Sequence, residues 1–187
     1  MFNFNLSVKI YRSIVLMENN LKFLNYTIAE DFLFFTSVLL LNPAIISTSY
    51  NIYRYIVHEN SITTTRSSKQ AQKCVHDYLS VMKNIQQQLS NINDKAQSIY
   101  NIYTKAMNLN SFYIYKKILI ANYSTSTYTS IINEFKKAKL LPIIHTGTNL
   151  KCIIGYSIIN ILTYIPILYK PTSFIYNRIL AKYILKL

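Results

Sequence analysis

The sequence has very few of the residues on which common active sites depend. It contains two glycines, four prolines, two cysteines and no tryptophan in 187 residues. Two glycines are too few for a phosphate-binding loop or a dinucleotide-binding fingerprint. Cys74 and Cys152 lie far apart in apolar or helical contexts, which argues against a disulfide framework and predicts two buried free thiols. We find no catalytic motif and predict a protein that is not an enzyme and uses no cofactor.

Three histidine-containing stretches are the candidates for metal binding or catalysis. Cys74 and His76 are two residues apart on a predicted helix, about 200° apart around its axis, so they cannot bind one metal ion by themselves. His145 precedes an apolar segment, as a haem- or quinone-site histidine of a membrane anchor would, but a loop histidine without that role is the simpler interpretation. We therefore predict no catalytic, cofactor-binding or metal site in these stretches, which are His58-Glu59, Cys74-Val-His76-Asp77 and His145-Thr-Gly-Thr148.

Acidic residues are also scarce, and their distribution is uneven. Seven Asp and Glu stand against 20 Lys and Arg, for a formal charge of +13. Residues 1–31 are neutral, so the whole excess lies beyond Asp31. This distribution favours an anionic partner such as rRNA, anionic lipid or acidic protein. Only four of the 20 basic residues are Arg, fewer than dedicated RNA-binding proteins usually carry.

The abundant residues are those encoded by A- and T-rich codons. The chain contains 29 Ile, 19 Asn, 17 Tyr and 16 Lys. This bias is typical of organelle genomes and of some viruses. The bias says nothing about mechanism, and a membrane-anchored viral protein is one possibility that it permits.

An apolar seam with alternating steps of three and four residues dominates the middle of the sequence. Such spacing keeps one stripe of a helix against a partner over many turns. It predicts a long central helix over about 68–108, with Ser67 or Ser68 as its N-cap. The seam of so long a helix needs a partner, which is either a later helix of this chain or another protein. The positions beside the seam are mostly neutral, so we predict a heteromeric neighbour rather than a homodimer. The predicted partner interface comprises Val75, Tyr78, Met82, Ile85, Leu89, Ile92, Ile99 and Tyr103.

Two apolar segments flank this helix, and each is either a membrane span or a buried core element. Glu30 and Asp31 precede the first, Phe32–Ile46, where acids favour a helix N-terminus. This segment spans a bilayer only if its helix continues past Pro43 to Val57. The second, Cys152–Tyr169, is uncharged and is bounded by Lys151 and Lys170. The residues predicted to contact lipid are Phe32, Leu39, Ile153, Ile158 and Ile161.

These features divide the chain into five segments and predict a mainly α fold. Between the long helix and the second apolar segment, we expect a turn at Asn108–Ser111 and a loop or extended stretch over Asn122–Ser130. A short helix should then run from Ile131 to Leu141 and end at Pro142. The segments are an N-terminal part (1–31), an apolar segment and possible span (32–57), the long coiled-coil-like helix (66–109), a basic mixed region (110–151) and an apolar segment with a basic tail (152–187).

The order of these parts resembles a known family. Ala29-Glu30-Asp31 leads into a Phe- and Leu-rich segment, then a seam-bearing helix and a basic remainder, and over residues 25–110 this resembles the mitochondrially encoded b subunit of ATP synthase. In that family an N-terminal span anchors a long peripheral-stalk helix that resists rotation of the catalytic head. The resemblance implies a coiled-coil-containing structural subunit of a respiratory or proton-transporting complex of the mitochondrial inner membrane, most simply the ATP synthase stalk. Its partners would be other subunits and membrane lipid.

A second function class fits the same sequence. In a ribosomal protein of the mitochondrial matrix, the basic surface would bind rRNA while the apolar segments form the core.

Overall fold

The structure, a computed structural model, describes residues 10–46, 67–90, 97–144 and 150–180. It is mainly helical, and these ranges contain no strand. Of the side chains in the helices, those of residues 97–105, 109, 151, 152, 179 and 180 lie outside the description. The helices are α1 (Ser13–Glu18), α2 (Glu30–Leu40), α3 (Ser68–Ser90), α4 (Gln97–Ala121), α5 (Thr125–Lys137), α6 (Leu150–Tyr164) and α7 (Tyr169–Ile175), with a 3-10 turn (Pro166–Leu168) before α7 and a π-helical turn (Tyr176–Leu180) after it.

Helices α3 and α4 form an antiparallel hairpin. Ser68 Oγ donates to the Ala121 carbonyl at 2.8 Å, and Tyr78 Oη donates to the Met107 carbonyl at 3.0 Å. In one straight helix residues 78 and 107 would be about 43 Å apart. The predicted single helix over 68–108 is therefore wrong, because its second half packs back along its first. Residues 91–96 lie outside the described residues.

Helix α4 continues through Asn108–Ser111, where the sequence predicted a turn. Ser111 Oγ donates to the Met107 carbonyl at 3.0 Å within the helix, and the Asn108 amide bonds to a distant loop. Ser111 bonds back to a carbonyl one turn earlier and Asn108 bonds outside the helix, and both arrangements are compatible with a helix that continues. A buried stripe with steps of three and four residues also passes through this region, formed by Met107, Ser111, Ile114, Ile118 and Ala121.

Helix α5 replaces most of the loop expected at Asn122–Ser130. Ser124 caps it by accepting a hydrogen bond from the Thr127 backbone nitrogen at 3.1 Å, as Ser commonly does at an N-cap. The helix ends at Lys137, and Lys139 adopts a positive φ of 55°. The polar composition hid a helical apolar stripe whose buried members are Tyr128, Ile131, Ile132 and Phe135.

Helix α2 begins where the sequence predicted, with Glu30 and Asp31 in its first turn. It ends at Leu40, just before Asn42-Pro43, and its 11 residues extend only about 16 Å. The continuation that a span would need runs into residues 47–57, which lie outside the described residues.

Helix α6 packs closely on α4. A Cβ at Gly155 would lie only 3.1 Å from Phe112 Cε2, so the absence of a side chain permits this approach. Pro166 stands at the start of the 3-10 turn that follows, where its missing N–H is tolerated.

Within the described ranges no single helix is long and apolar enough to cross a membrane. Ile153–Tyr164 and Pro166–Arg178 reach that length and composition only together, with a bend of 115° between them.

One cluster of buried side chains joins all the helices from α2 to α7. The Tyr78 and Phe135 rings stack at 6.2 Å between α3 and α5, and Lys83 Nζ forms an ion pair with Glu134 at 2.6 Å. Helix α4 contacts α3, α6 and α7. These contacts hold α6 and α7 on the core by one side only.

Candidate functional site

The first half of the predicted partner interface is buried inside the chain itself. Val75, Met82 and Ile85 are fully buried, and Tyr78 and Leu89 are nearly so. All five belong to the common core cluster. The prediction that they contact another protein is corrected here, because α4 and α5 of the same chain cover them. Ile92 lies outside the described residues, as do the side chains of Ile99 and Tyr103.

The predicted lipid-contacting residues divide into two groups. Phe32 is buried and Leu39 is partly buried against the core, so at these positions the structure corresponds to the core-helix alternative. Ile153 is half-buried. Ile158 and Ile161 are 49% and 52% exposed, and they are the two that the structure leaves open to an outside partner.

The cysteine and histidine candidates do not form a reactive group where the structure describes them. Cys74 is a buried free thiol, and burial raises its pKa, so it stays protonated and poorly nucleophilic. His76 points to solvent. No group of three potential metal ligands occurs among the described residues. His58, Glu59, His145 and the side chain of Cys152 lie outside them.

A cavity of 280 Å³ lies where the N-terminal segment meets α2, with Lys22, Glu30, Ser37 and Gln88 among its lining residues. Ligand sites for small molecules usually measure about 300–1,000 Å³. This cavity falls just below that range, and the surface of the protein offers a larger candidate site.

A network of buried tyrosines holds α6 and α7 against α4 and α5. Tyr128 Oη donates to the Leu162 carbonyl at 2.9 Å and lies 2.6 Å from Tyr115 Oη. Because Tyr128 uses its only proton on Leu162, Tyr115 is the donor between the two. The ring of Tyr169 stacks on Tyr128 at 4.0 Å, and its hydroxyl donates to the Ile118 carbonyl at 3.0 Å. The network fixes the orientation of the C-terminal helices.

Two asparagines hold the segment that precedes α6. Asn108 Nδ2 donates to the Leu140 and Pro142 carbonyls at 3.2 and 2.8 Å, and its Oδ1 accepts from the Ile144 nitrogen at 2.6 Å. Asn160 exchanges two hydrogen bonds with the backbone of Ile143, at 2.8 and 3.0 Å. The backbone of residues 140–144 is thus tied to α4 through Asn108 and to the second half of α6 through Asn160, an arrangement that the sequence pattern did not predict.

The buried tyrosines predict a loss of stability in alkaline solution. Burial raises the pKa of Tyr128 from 10.0 to about 12, whereas an unfolded tyrosine ionises near its ordinary value. Above about pH 10 the unfolded chain therefore binds fewer protons than the folded one, and stability decreases as pH rises. Burial lowers the pKa of Lys117. This shift makes stability rise with pH, but it comes from a single group and opposes five tyrosines. Burial also raises the pKa of Tyr78, Tyr115, Tyr123 and Tyr169.

We expect the melting temperature to decrease steadily from about pH 10 to about pH 12, together with a cooperative rise in tyrosinate absorbance. A melting temperature that is constant over this range would contradict the burial of these hydroxyls. The Tyr113→Phe variant is the control for loss of a tyrosine hydroxyl, because Tyr113 is exposed and its loss should leave the melting temperature at neutral pH unchanged.

The most prominent surface feature is an exposed apolar face on α6, α7 and the turn between them. Each residue of an α-helix is rotated by about 100° from the one before it. On this basis the exposed residues of α6 occupy roughly 120° of its circumference and form a stripe along the whole helix. The opposite side of α6 is buried on the core. We call this surface the α6–α7 face; its members are Leu150, Ile154, Ile158, Ile161, Tyr164, Ile165, Ile167, Leu168, Phe174 and Ile175.

The size of the α6–α7 face is unusual for a surface that contacts only water. Its ten members are half of the 20 exposed large apolar side chains among the described residues, although they come from a stretch of 26 residues. Large contiguous apolar patches on soluble proteins usually mark contacts with a protein or a membrane. Hydropathy identified this segment, but it did not predict the exposed stripe. Ile153, Ile159 and Leu162 on the other sides of α6 are apolar as well, so the spacing alone did not show which residues stay exposed.

Basic side chains border the α6–α7 face. Lys136 Nζ lies 4.7 Å from the centre of the Tyr164 ring and donates to the Thr163 carbonyl at 3.0 Å. The Arg178 guanidinium lies 4.7 Å from the centre of the Phe174 ring, and Lys170 is exposed beside them. The 53 residues after Glu134 contain eight Lys or Arg and no acidic residue. The face is therefore apolar at its centre and positive at its border.

Comparison of the chain with protein-family models, curated proteins and solved structures finds no match in any of the three.

Proposed function

We propose that the chain is a non-catalytic structural subunit of an oxidative-phosphorylation complex of the mitochondrial inner membrane, attached through the α6–α7 face. The observation that carries this proposal is the exposure of ten large apolar side chains next to basic residues, in a part of the sequence that has no acidic residue after Glu134. Such a surface fits a permanent contact with a membrane or with a subunit beside it. The abundance of residues with A- and T-rich codons, which is typical of organelle genomes, supports the mitochondrial assignment.

The hairpin changes the shape expected of this subunit. An extended stalk needs one long helix, but α4, with 25 residues, extends only about 37 Å and lies beside α3. We therefore favour a compact subunit next to the membrane over an extended strut of the peripheral stalk. Its place would be near the membrane-embedded part of the complex, with other subunits and lipid as partners.

Fractionation of cells that express the tagged chain tests the proposal. We expect the chain in mitochondrial membranes, co-migrating on native gels after mild detergent with an assembled oxidative-phosphorylation complex. It should remain with that complex after high-salt and nuclease treatment. A chain that sediments with mitochondrial ribosomes and leaves them on nuclease treatment would overturn the proposal and favour the rRNA-binding alternative, to which the net charge of +13 also lends support.

A further inference from the structure

We infer that the α6–α7 face is an in-plane anchor that lies on the surface of a bilayer containing anionic phospholipid. This inference deepens the proposed function, on which it rests, by naming the partner of the face and the orientation of its helices. Three observations carry it: the direction of the stripe, the bend after α6, and the charge of the border.

The stripe runs along the side of α6 rather than around it. A helix that crosses the hydrocarbon core by itself meets lipid on all sides, whereas one that lies in the interface meets lipid on one side only. The other side of α6 is occupied by the protein: the Tyr156 ring contacts the Phe112 ring at 5.1 Å, and Ile159 and Leu162 are buried. Lying flat is therefore the orientation in which α6 gives its apolar side chains to lipid.

The bend of 115° after Tyr164 also argues against a span. Helix α6 has 15 residues and extends only about 22 Å, short of the ~30 Å hydrocarbon core. After a turn of more than a right angle, the following helix adds nothing to the distance crossed. Two helices that meet at a bend do share a plane, and in that plane both can lie on a bilayer surface.

The basic residues at the border of the face favour anionic lipid. Lys136 and Arg178 each stand over an aromatic ring of the face, and Lys170 is exposed on α7. Aromatic rings and long basic side chains both favour the level of the headgroups, where the rings contact acyl chains and the cations reach phosphate. No acidic residue follows Glu134, so this part of the sequence has no negative side chain that an anionic surface would repel.

Vesicle flotation of the purified full chain tests the apolar part of this inference. We expect the double variant Ile158→Asp/Ile161→Asp to bind phosphatidylcholine–phosphatidylglycerol vesicles about tenfold more weakly or worse, because two half-exposed isoleucines leave the lipid and two negative charges enter. The matched control is Ile14→Asp, since Ile14 on α1 has a similar exposure of 59%. An equal loss in the control, or no loss in the double variant, would overturn the inference. Circular dichroism checks that each variant is folded.

The charge part has its own pair of variants. Lys170→Gln should weaken binding to the same vesicles about fivefold, the amount expected for one charge near an anionic surface. Lys69→Gln, an exposed lysine on α3, should not. Binding to phosphatidylcholine alone should be much weaker for the unaltered chain. Equal binding to both vesicle types would overturn the choice of anionic lipid.

The orientation is measured with single tryptophans, which report without background because the chain contains none. We expect the fluorescence of the single variants Ile154→Trp and Phe174→Trp to be quenched equally, and only by lipids brominated close to the headgroup. Quenching at very different depths would overturn the in-plane orientation. If the unaltered chain does not bind vesicles and yet co-migrates with a respiratory complex, the face contacts another subunit; this inference is then wrong while the proposed function stands.

Discussion

The Ile85→Asp variant is expected to lose the cooperative unfolding transition of the unaltered chain. Ile85 is completely buried near the C-terminal end of α3, so the substitution places an unpaired carboxylate among apolar side chains. We expect a cost of at least about 4 kcal/mol, which is a large part of the ~5–15 kcal/mol that stabilises a typical domain. Thermal melting followed by circular dichroism should show reduced helicity and no sharp transition.

Gln87→Asp is the matched control for this variant. Gln87 is exposed on the same helix two residues later, so the new charge stays in water. We expect a normal transition with a melting temperature close to that of the unaltered chain. Similar behaviour of the two variants would mean that α3 does not pack through the side that contains Ile85.

The second large effect is expected at the tyrosine pair. Tyr128→Phe leaves both the Tyr115 hydroxyl and the Leu162 carbonyl without their partner in a buried place, and each buried unsatisfied group costs about 1–3 kcal/mol. Tyr115→Phe removes one donor while Tyr128 still bonds to Leu162, so its cost should be about 1 kcal/mol. Urea unfolding of both variants gives the free energies.

The double variant Tyr115→Phe/Tyr128→Phe shows whether the two hydroxyls are coupled. We expect it to be more stable than the sum of the single effects predicts, by about 1 kcal/mol, because neither hydroxyl then remains unpaired next to the other. Tyr113→Phe, at an exposed position, should leave the free energy of unfolding unchanged. Strictly additive effects of Tyr115→Phe and Tyr128→Phe would rule out the direct hydrogen bond.

The seam shows both the strength and the limit of prediction from this sequence. Its period located α3 and the correct buried side, including Val75, Met82 and Ile85, because a strong apolar period depends only on local geometry. The same period continues through Ile92 and Ala96, so nothing in the spacing distinguished one long helix from two packed together. Which partner covers a seam is a tertiary property, and here the chain supplies it.

The candidate site was predictable in location but not in form. The apolar segment from Cys152 to Tyr169 was identified from hydropathy, and it supplies much of the α6–α7 face. Hydropathy alone could not tell which of its residues are covered, because this depends on α4, on Asn108 and on the buried tyrosines. Buried Tyr169 and exposed Ile167 look equally suitable for a core in the sequence.

The hydrogen bonds of Asn108 and Asn160 also bear on the order in which the chain folds. Only six residues separate α3 from α4 in the sequence, so these two helices can meet early, whereas Asn108 reaches backbone groups 32 to 36 residues away. Short loops cost less entropy to close and form sooner. We expect the hairpin to form first and to serve as the template on which α6 docks, so that the apolar stripe of α6 becomes ordered only at the end of folding.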